Sequence, residues 1–171
     1  TAAMGWAWRF SKAAPSSLSA STNAIRIWVP QASTSCNSSG MTSAAASLAA
    51  ELERVGGLKV RTDVPLGRLT TFKIGGPAAL VITPETEDGL VAAMPRILES
   101  GRPVLVLGNG SNVLVSDAGF DGVVIRIGSA LGVIETEPPD RLRAGAGAMW
   151  SRVLRHVATE GWTGLEFGAG I

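Results

Sequence analysis

The sequence predicts an α+β fold, and three observations carry the prediction. Residues 79–83, 86–100 and 104–107 read in succession as a strand, an amphipathic helix and a strand, which together make one βαβ unit. Downstream, residues 131–136 and 141–144 read as two strands around Pro138-Pro139-Asp140, and a second amphipathic helix follows them. Hydrophobic residues make up 46% of the 171 and charged residues 17%, which supplies apolar surface for a core. No apolar run approaches the ~18 residues of a membrane span, so no membrane partner is expected. The length suits one ordinary domain or two small lobes, since domains most often run to roughly 100–150 residues.

Charge is distributed unevenly. Arg9, Lys12 and Arg26 fall in residues 1–40 with no acid beside them, so this segment carries +3 and the rest of the chain −2. The segment is rich in Ser, Ala and Thr and keeps no period; Trp6, Trp8 and Phe10 precede a polar stretch and then an isolated Ile25-Arg26-Ile27-Trp28-Val29. Three readings stand for it: an organellar transit peptide, a disordered tail, or upstream sequence read from a false start. The last is favoured, with Met41 as the start, because the chain opens on Thr1 and helix signals begin directly after Met41. No function is assigned to these residues.

From Ser43, Ala44, Leu48, Leu52 and Val55 recur at helical spacing, with Glu51, Glu53 and Arg54 off that face. Residues 41–57 are therefore expected as a leading helix, capped by Thr42 or Ser43 and ended by Gly56-Gly57. Residues 60–66 read as extended and close at Pro65. The β-prone run Thr70-Thr71-Phe72-Lys73-Ile74, breaking into Gly75-Gly76-Pro77, predicts a strand and a tight turn. Residues 79–83 are the next strand, stopped by Pro84. Over residues 86–100, Leu90, Val91, Met94, Ile97 and Leu98 share one helical face, with Thr86 as N-cap and Gly101 as stop. Pro95 removes a backbone donor and predicts a kink.

Val104-Leu105-Val106-Leu107 is a short continuous apolar run, the pattern of a strand buried on both faces. It completes the βαβ unit, whose crossover is expected to be right-handed. Residues 123–127 give a further strand. The second helix places Trp150, Val153, Leu154, Val157 and Ala158 on one face and stops at Gly161. Residues 164–171 are glycine-rich, the composition of backbone that turns or touches a ligand, and the chain is expected to be interrupted there.

Binding chemistry concentrates in Gly108-Asn109-Gly110-Ser111-Asn112, directly after the apolar strand. Two glycines permit positive φ and a close approach of main chain to a ligand. Successive N–H groups in such a turn form a concave anion site, to which Ser111 adds a hydroxyl, and a phosphate or pyrophosphate is the natural guest. A plain turn between strands is the competing reading. The sequence contains no GxxxxGK[ST], and its GxG lacks both the third glycine and the following helix of a Rossmann fingerprint. The single Cys36 offers neither a disulfide framework nor a metal cluster, so no metal is expected. Dispersed arginines make no clustered basic face, so nucleic acid is not an expected partner.

Residues 106–115, Val-Leu-Gly-Asn-Gly-Ser-Asn-Val-Leu-Val, closely resemble the flavin pyrophosphate loop of UDP-N-acetylenolpyruvoylglucosamine reductases. Residues 70–78, 119–124, 143–148 and 164–171 resemble segments of the same family in the same order, so the resemblance runs from about Leu58 to Ile171. It implies a two-lobed FAD-binding domain of the vanillyl-alcohol-oxidase/PCMH type, incomplete at the C-terminus. The first lobe is then residues 58–128, the second begins at 129–171, and the substrate-binding domain is absent.

The function the resemblance implies is NADPH-dependent reduction of UDP-N-acetylglucosamine enolpyruvate to UDP-N-acetylmuramate, a cytoplasmic step of peptidoglycan precursor and cell-wall synthesis. FAD is held non-covalently, and NADPH is the hydride donor. Residue by residue, Gly108, Asn109, Gly110, Ser111, Asn112, Val113 and Leu114 match the flavin loop, and Gly168, Gly170 and Ile171 match a segment that approaches the cofactor. The family's catalytic serine, arginine and glutamate belong to sequence after Ile171, so no catalytic residue is named, and the fragment alone, with half the cleft missing, is expected to retain FAD weakly or not at all and to be inactive. A flavin-binding fragment without turnover, and another flavin dehydrogenase of the same superfamily, remain as alternatives.

Several residues invite roles that their surroundings in the sequence do not support. His156 shares the polar face of its helix with Arg152, Arg155 and Thr159 and is expected as a solvated surface histidine. Trp150 and Trp162 are expected as core aromatics, and Glu166 carries no catalytic assignment. Ser116 and Asp117 are either support for the loop or a simple turn.

Overall fold

The computed structural model describes residues 7–9, 43–139 and 141–168. In chain order its elements are β1 (Ala7–Arg9), α1 (Ser43–Glu53), β2 (Leu58–Pro65), β3 (Pro77–Pro84), α2 (Glu87–Glu99), β4 (Val104–Leu107), β5 (Phe120–Arg126), β6 (Ile134–Glu137), β7 (Arg141–Ala144) and α3 (Trp150–Thr159). Apart from β1, the segment read as a tail or false start lies outside the described residues. The chain divides into two compact units, Ile27–Ala130 and a second that joins Leu131–Ile171 with Thr1–Arg26. The architecture is α+β.

In the first unit the strands lie in the order β2-β3-β5-β4. β2 runs antiparallel to β3, while β3 and β4 both run parallel to β5. The expected βαβ unit is therefore opened: β3 and β4 are joined through α2 but are not neighbours, because β5 returns between them. The buried Leu80, Ile82, Val123 and Ile125 face α1 and α2, meeting Leu48, Leu52, Ala93 and Ile97. Each large aliphatic side chain so buried contributes about 1.5–3 kcal/mol relative to exposure.

The opposite face presents Val64, Val81, Leu105, Leu107, Phe120 and Val124, and Leu69, Val113 and Val115 pack against it. These three belong to the connections 66–76 and 108–119, so loops, not helices, cover this side. The sheet's need for apolar cover thus holds the two loops in place.

Three expectations are corrected. Residues 70–76 form no strand; Lys73 takes a left-handed φ of 56°, which interrupts extended backbone. β4 is an edge strand with Val104 and Val106 exposed and only Leu105 and Leu107 buried. An uninterrupted apolar run cannot by itself separate an edge from a centre. The face of α2 is also rotated from its predicted stripe: Gly89, Ala93 and Ile97 are buried, Leu90 and Met94 partly so, and Val91 and Leu98 are exposed.

Small residues explain the rotation. A Cβ on Gly89 would lie 2.7 Å from the carbonyl oxygens of both Gly56 and Gly57, so the helix meets the turn before β2 backbone to backbone. The Thr86 hydroxyl accepts from the Gly89 N–H at 3.1 Å and caps the same turn of helix, as predicted. The helix runs on through Pro95 to Glu99. Gly89→Ala would gain roughly 1 kcal/mol of helix propensity but overpack a rigid contact at about 1–3 kcal/mol. The expected result is net destabilisation, read as a lower midpoint in urea.

In the second unit β7 lies between β6 and β1, antiparallel to both. The α3 side chains Val153 and Val157 bury against Leu142 and Leu165, while Ala158, placed on the apolar stripe by periodicity, is exposed.

Candidate functional site

β4 ends at Leu107, and the chain leaves the sheet as the 108–119 connection to β5. Gly108, Asn109, Ser111, Asn112 and Leu114 are exposed, Val113 is half-buried, and Gly110 is buried. Val113 and Val115 turn inward to the sheet but join no ladder. Among the described residues, no N–H group of residues 109–115 makes a well-formed hydrogen bond to a backbone carbonyl; that of Val113 only approaches the Gly110 carbonyl across the turn at Ser111-Asn112. A row of unspent backbone donors on an exposed loop suits a ligand with several acceptor oxygens.

The two glycines serve different ends. At Gly108 a Cβ would meet nothing within 4 Å, so its surroundings are open. Gly110 has φ 67°, and a Cβ there would collide with the Leu69 carbonyl oxygen and lie 2.9 Å from the Thr70 Cα. The close approach expected of Gly110 toward a ligand is thus made toward its own chain. Its carbonyl accepts from the Thr71 N–H at 3.0 Å.

The partner segment, residues 66–76, is a closed loop. Leu66 N–H donates to the Gly76 carbonyl at 3.0 Å and Gly67 N–H to the Gly75 carbonyl at 3.1 Å. Gly76 N–H then donates to the Ser116 carbonyl at 2.9 Å, and Gly119 N–H reaches the same oxygen at 3.0 Å. A Cβ on Gly76 would run into the Asp117 carbonyl oxygen and lie 2.6 Å from the Gly119 nitrogen. Ser116 and Asp117, left open between support and simple turn, are therefore contact points of the two loops. The sequence reading missed residues 69–71 as part of this site; their β-prone composition pointed to a strand. The only signal available was the Gly75-Gly76 pair, which asks for close backbone packing without naming its partner.

The other predicted site residues lie in the second unit. Gly168 is buried, and a Cβ on it would press into the Trp150 indole, 2.5 Å from Cε2, while its carbonyl accepts the Trp150 Nε1–H at 2.8 Å. Self-packing is enough to require glycine at 168. Gly170 and Ile171 lie outside the described residues. Trp150 is half-buried and its ring lies 6.3 Å from that of Phe167, while Trp162 packs on the same cluster. His156 is half-exposed, and its Nε2 sits 2.9 Å from the Thr136 hydroxyl. Among the described residues, no group of three His, Cys, Asp or Glu side chains is placed to hold a metal, and no helix is long and apolar enough to cross a membrane.

The FAD binding domain family matches residues 78–171. A UDP-N-acetylenolpyruvoylglucosamine reductase of Phenylobacterium zucineum is 47% identical over 113 residues, which is 66% of this chain and 37% of that protein. A reductase of the same description from Bacillus anthracis is 41% identical over 113 residues, with the same coverage. The crystal structure of UDP-N-acetylenolpyruvylglucosamine reductase from Thermus caldophilus superposes with a TM-score of 0.53 at 33% identity, covering 67% of this chain and 38% of that one.

Proposed function

Because the chain belongs to the FAD-binding domain family, we propose that its loop 108–114 holds the diphosphate of FAD within a UDP-N-acetylenolpyruvoylglucosamine reductase. The observation that carries the reading is the row of N–H groups at residues 109–115, on a largely exposed loop, none of them in a well-formed bond to a carbonyl among the described residues. In this reading Gly108, Asn109, Gly110, Ser111, Asn112, Val113 and Leu114 bind through main-chain donors, with the Ser111 hydroxyl added. The exposed apolar side chains of Phe72, Ile74 and Leu114 lie on the same two loops and offer a surface for the rings of a dinucleotide.

When bound, FAD supplies hydride transfer from NADPH to the enolpyruvyl double bond of UDP-N-acetylglucosamine enolpyruvate, giving UDP-N-acetylmuramate for peptidoglycan. These residues bind and orient the cofactor. The chain spans 37% of the length of the relatives it matches, so turnover is assigned to the protein that carries the remaining length. In this reading the reaction is cytoplasmic, which suits two co-substrates that are soluble nucleotides. Gly168, Gly170 and Ile171 are kept as secondary candidates for the cofactor.

Titration of the full-length protein with FAD, followed by flavin fluorescence, tests the binding. Saturable one-to-one uptake is expected. Gly108→Ala puts a methyl into open space and leaves stability within about 0.5 kcal/mol, as for other surface changes. Loss of about 1.4 kcal/mol of binding, a tenfold weaker Kd, is the expected size if that methyl blocks the phosphates. A full-length protein that takes up no FAD, or a Gly108→Ala variant of it that binds as tightly as the parent, would contradict the proposal. For the substrate, reduced flavin in the full-length protein should be reoxidised by the enolpyruvyl sugar. Reoxidation by a different acceptor alone would point to another flavin dehydrogenase.

A further inference from the structure

Thr70 is the one buried polar side chain among the described residues, with 6% of its surface exposed. Its hydroxyl donates to the Ile74 carbonyl at 3.3 Å, and its own carbonyl accepts from the Lys73 N–H at 3.3 Å. These two bonds close the tip of the 66–76 loop, around the left-handed Lys73. Immediately beside the tip, Thr71 N–H holds the Gly110 carbonyl, and Gly76 N–H holds the Ser116 carbonyl. The two stitches therefore fall at either end of residues 111–115, the stretch whose N–H groups are unspent.

We propose that Thr70 is a positioning residue for the cofactor loop: by closing the 66–76 loop it sets the spacing of the stitches at Gly110 and Ser116, and so the shape of the donor row. The proposal rests on the FAD reading given above. Thr70 touches no part of the 108–114 loop through its hydroxyl. Its influence passes through Thr71 and Gly76. A buried hydroxyl suits this place, because it must find an acceptor within the protein, and among the described residues no backbone N–H competes for the Ile74 carbonyl. The bonding is local, yet its effect is carried to a segment far along the chain.

The test compares Thr70→Val, which keeps shape and removes the donor, with Thr70→Ser, which keeps the donor. Amide hydrogen exchange of the free chain reads the stitches directly at the Thr71 and Gly76 N–H groups, and FAD titration reads the consequence. At 3.3 Å the hydroxyl bond is long, and its loss corresponds to the low end of hydrogen-bond strength, a change of roughly two- to threefold. Thr70→Val is expected to speed exchange at both amides and to weaken FAD binding by that factor, with Thr70→Ser matching the parent in both. Unchanged exchange at Thr71 and Gly76 in Thr70→Val would overturn the proposal. So would unchanged FAD affinity despite faster exchange, or a Thr70→Ser variant as impaired as Thr70→Val. A full-length parent that binds no FAD would instead sink the cofactor reading, and the exchange data would still decide whether Thr70 sets the loop.

Discussion

Gly110→Ala is expected to abolish FAD binding and to destabilise the unit Ile27–Ala130 by at least about 2 kcal/mol. Two costs combine. The left-handed φ of 67° penalises any side chain by about 1–2 kcal/mol. The new Cβ would also strike the Leu69 carbonyl and press on the Thr70 Cα at 2.9 Å, both main-chain atoms that cannot rotate aside. Overpacking of that kind costs about 1–3 kcal/mol. Relief requires the 108–119 connection to lift off the 66–76 loop, which breaks the Thr71–Gly110 bond and disperses the donor row. Urea unfolding measures the stability loss, and flavin fluorescence measures the binding. A Gly110→Ala chain that keeps both the parent's midpoint and its FAD affinity would show that the two loops are not packed as described. The contrast with Gly108→Ala is the diagnostic point, since one glycine faces its own chain and the other open space.

Ile82→Ala is expected to cost about 2–5 kcal/mol, the range for deleting most of a fully buried aliphatic side chain. Ile82 is completely buried in β3, an interior strand paired to β2 on one side and β5 on the other. It lies in the cluster that meets α1 and α2, and the backbone ladder on both edges prevents the sheet from collapsing into the void. The value should fall in the upper half of the range for that reason. Urea midpoints at unchanged slope provide the check. A cost below about 1 kcal/mol would mean that the helices relax onto the cavity, contrary to the packing seen.

Elements whose cause is local were legible in the sequence. The helix after Thr86 depends on a hydroxyl three residues from the N–H it caps and on a 3.6-residue period, and it begins and ends where that chemistry places it. The strand at Pro77–Pro84 was likewise readable from its apolar run and proline boundary, and β6 and β7 from the Pro138-Pro139-Asp140 turn between them, although β6 begins at Ile134 and not at residue 131. Residues 70–76 were not, because their hydrogen-bond partners, Gly110 and Ser116, lie far along the chain, and composition favoured a ladder that does not form. The same holds for Val104 and Val106: whether an apolar strand is an edge depends on where β5 inserts, which no window of β4 contains.

By itself, then, the sequence determined where the chain helps itself: caps, periods, turn glycines, and a Gly-Asn-Gly-Ser-Asn segment suited to anionic oxygens. Tertiary structure alone decided which glycine faces the open side, which lies against Leu69, and which small-residue line of α2 meets the turn at Gly56-Gly57. The physical reason is range. Propensity and capping act over a few residues, whereas steric exclusion and the satisfaction of backbone donors act between segments that only folding brings together.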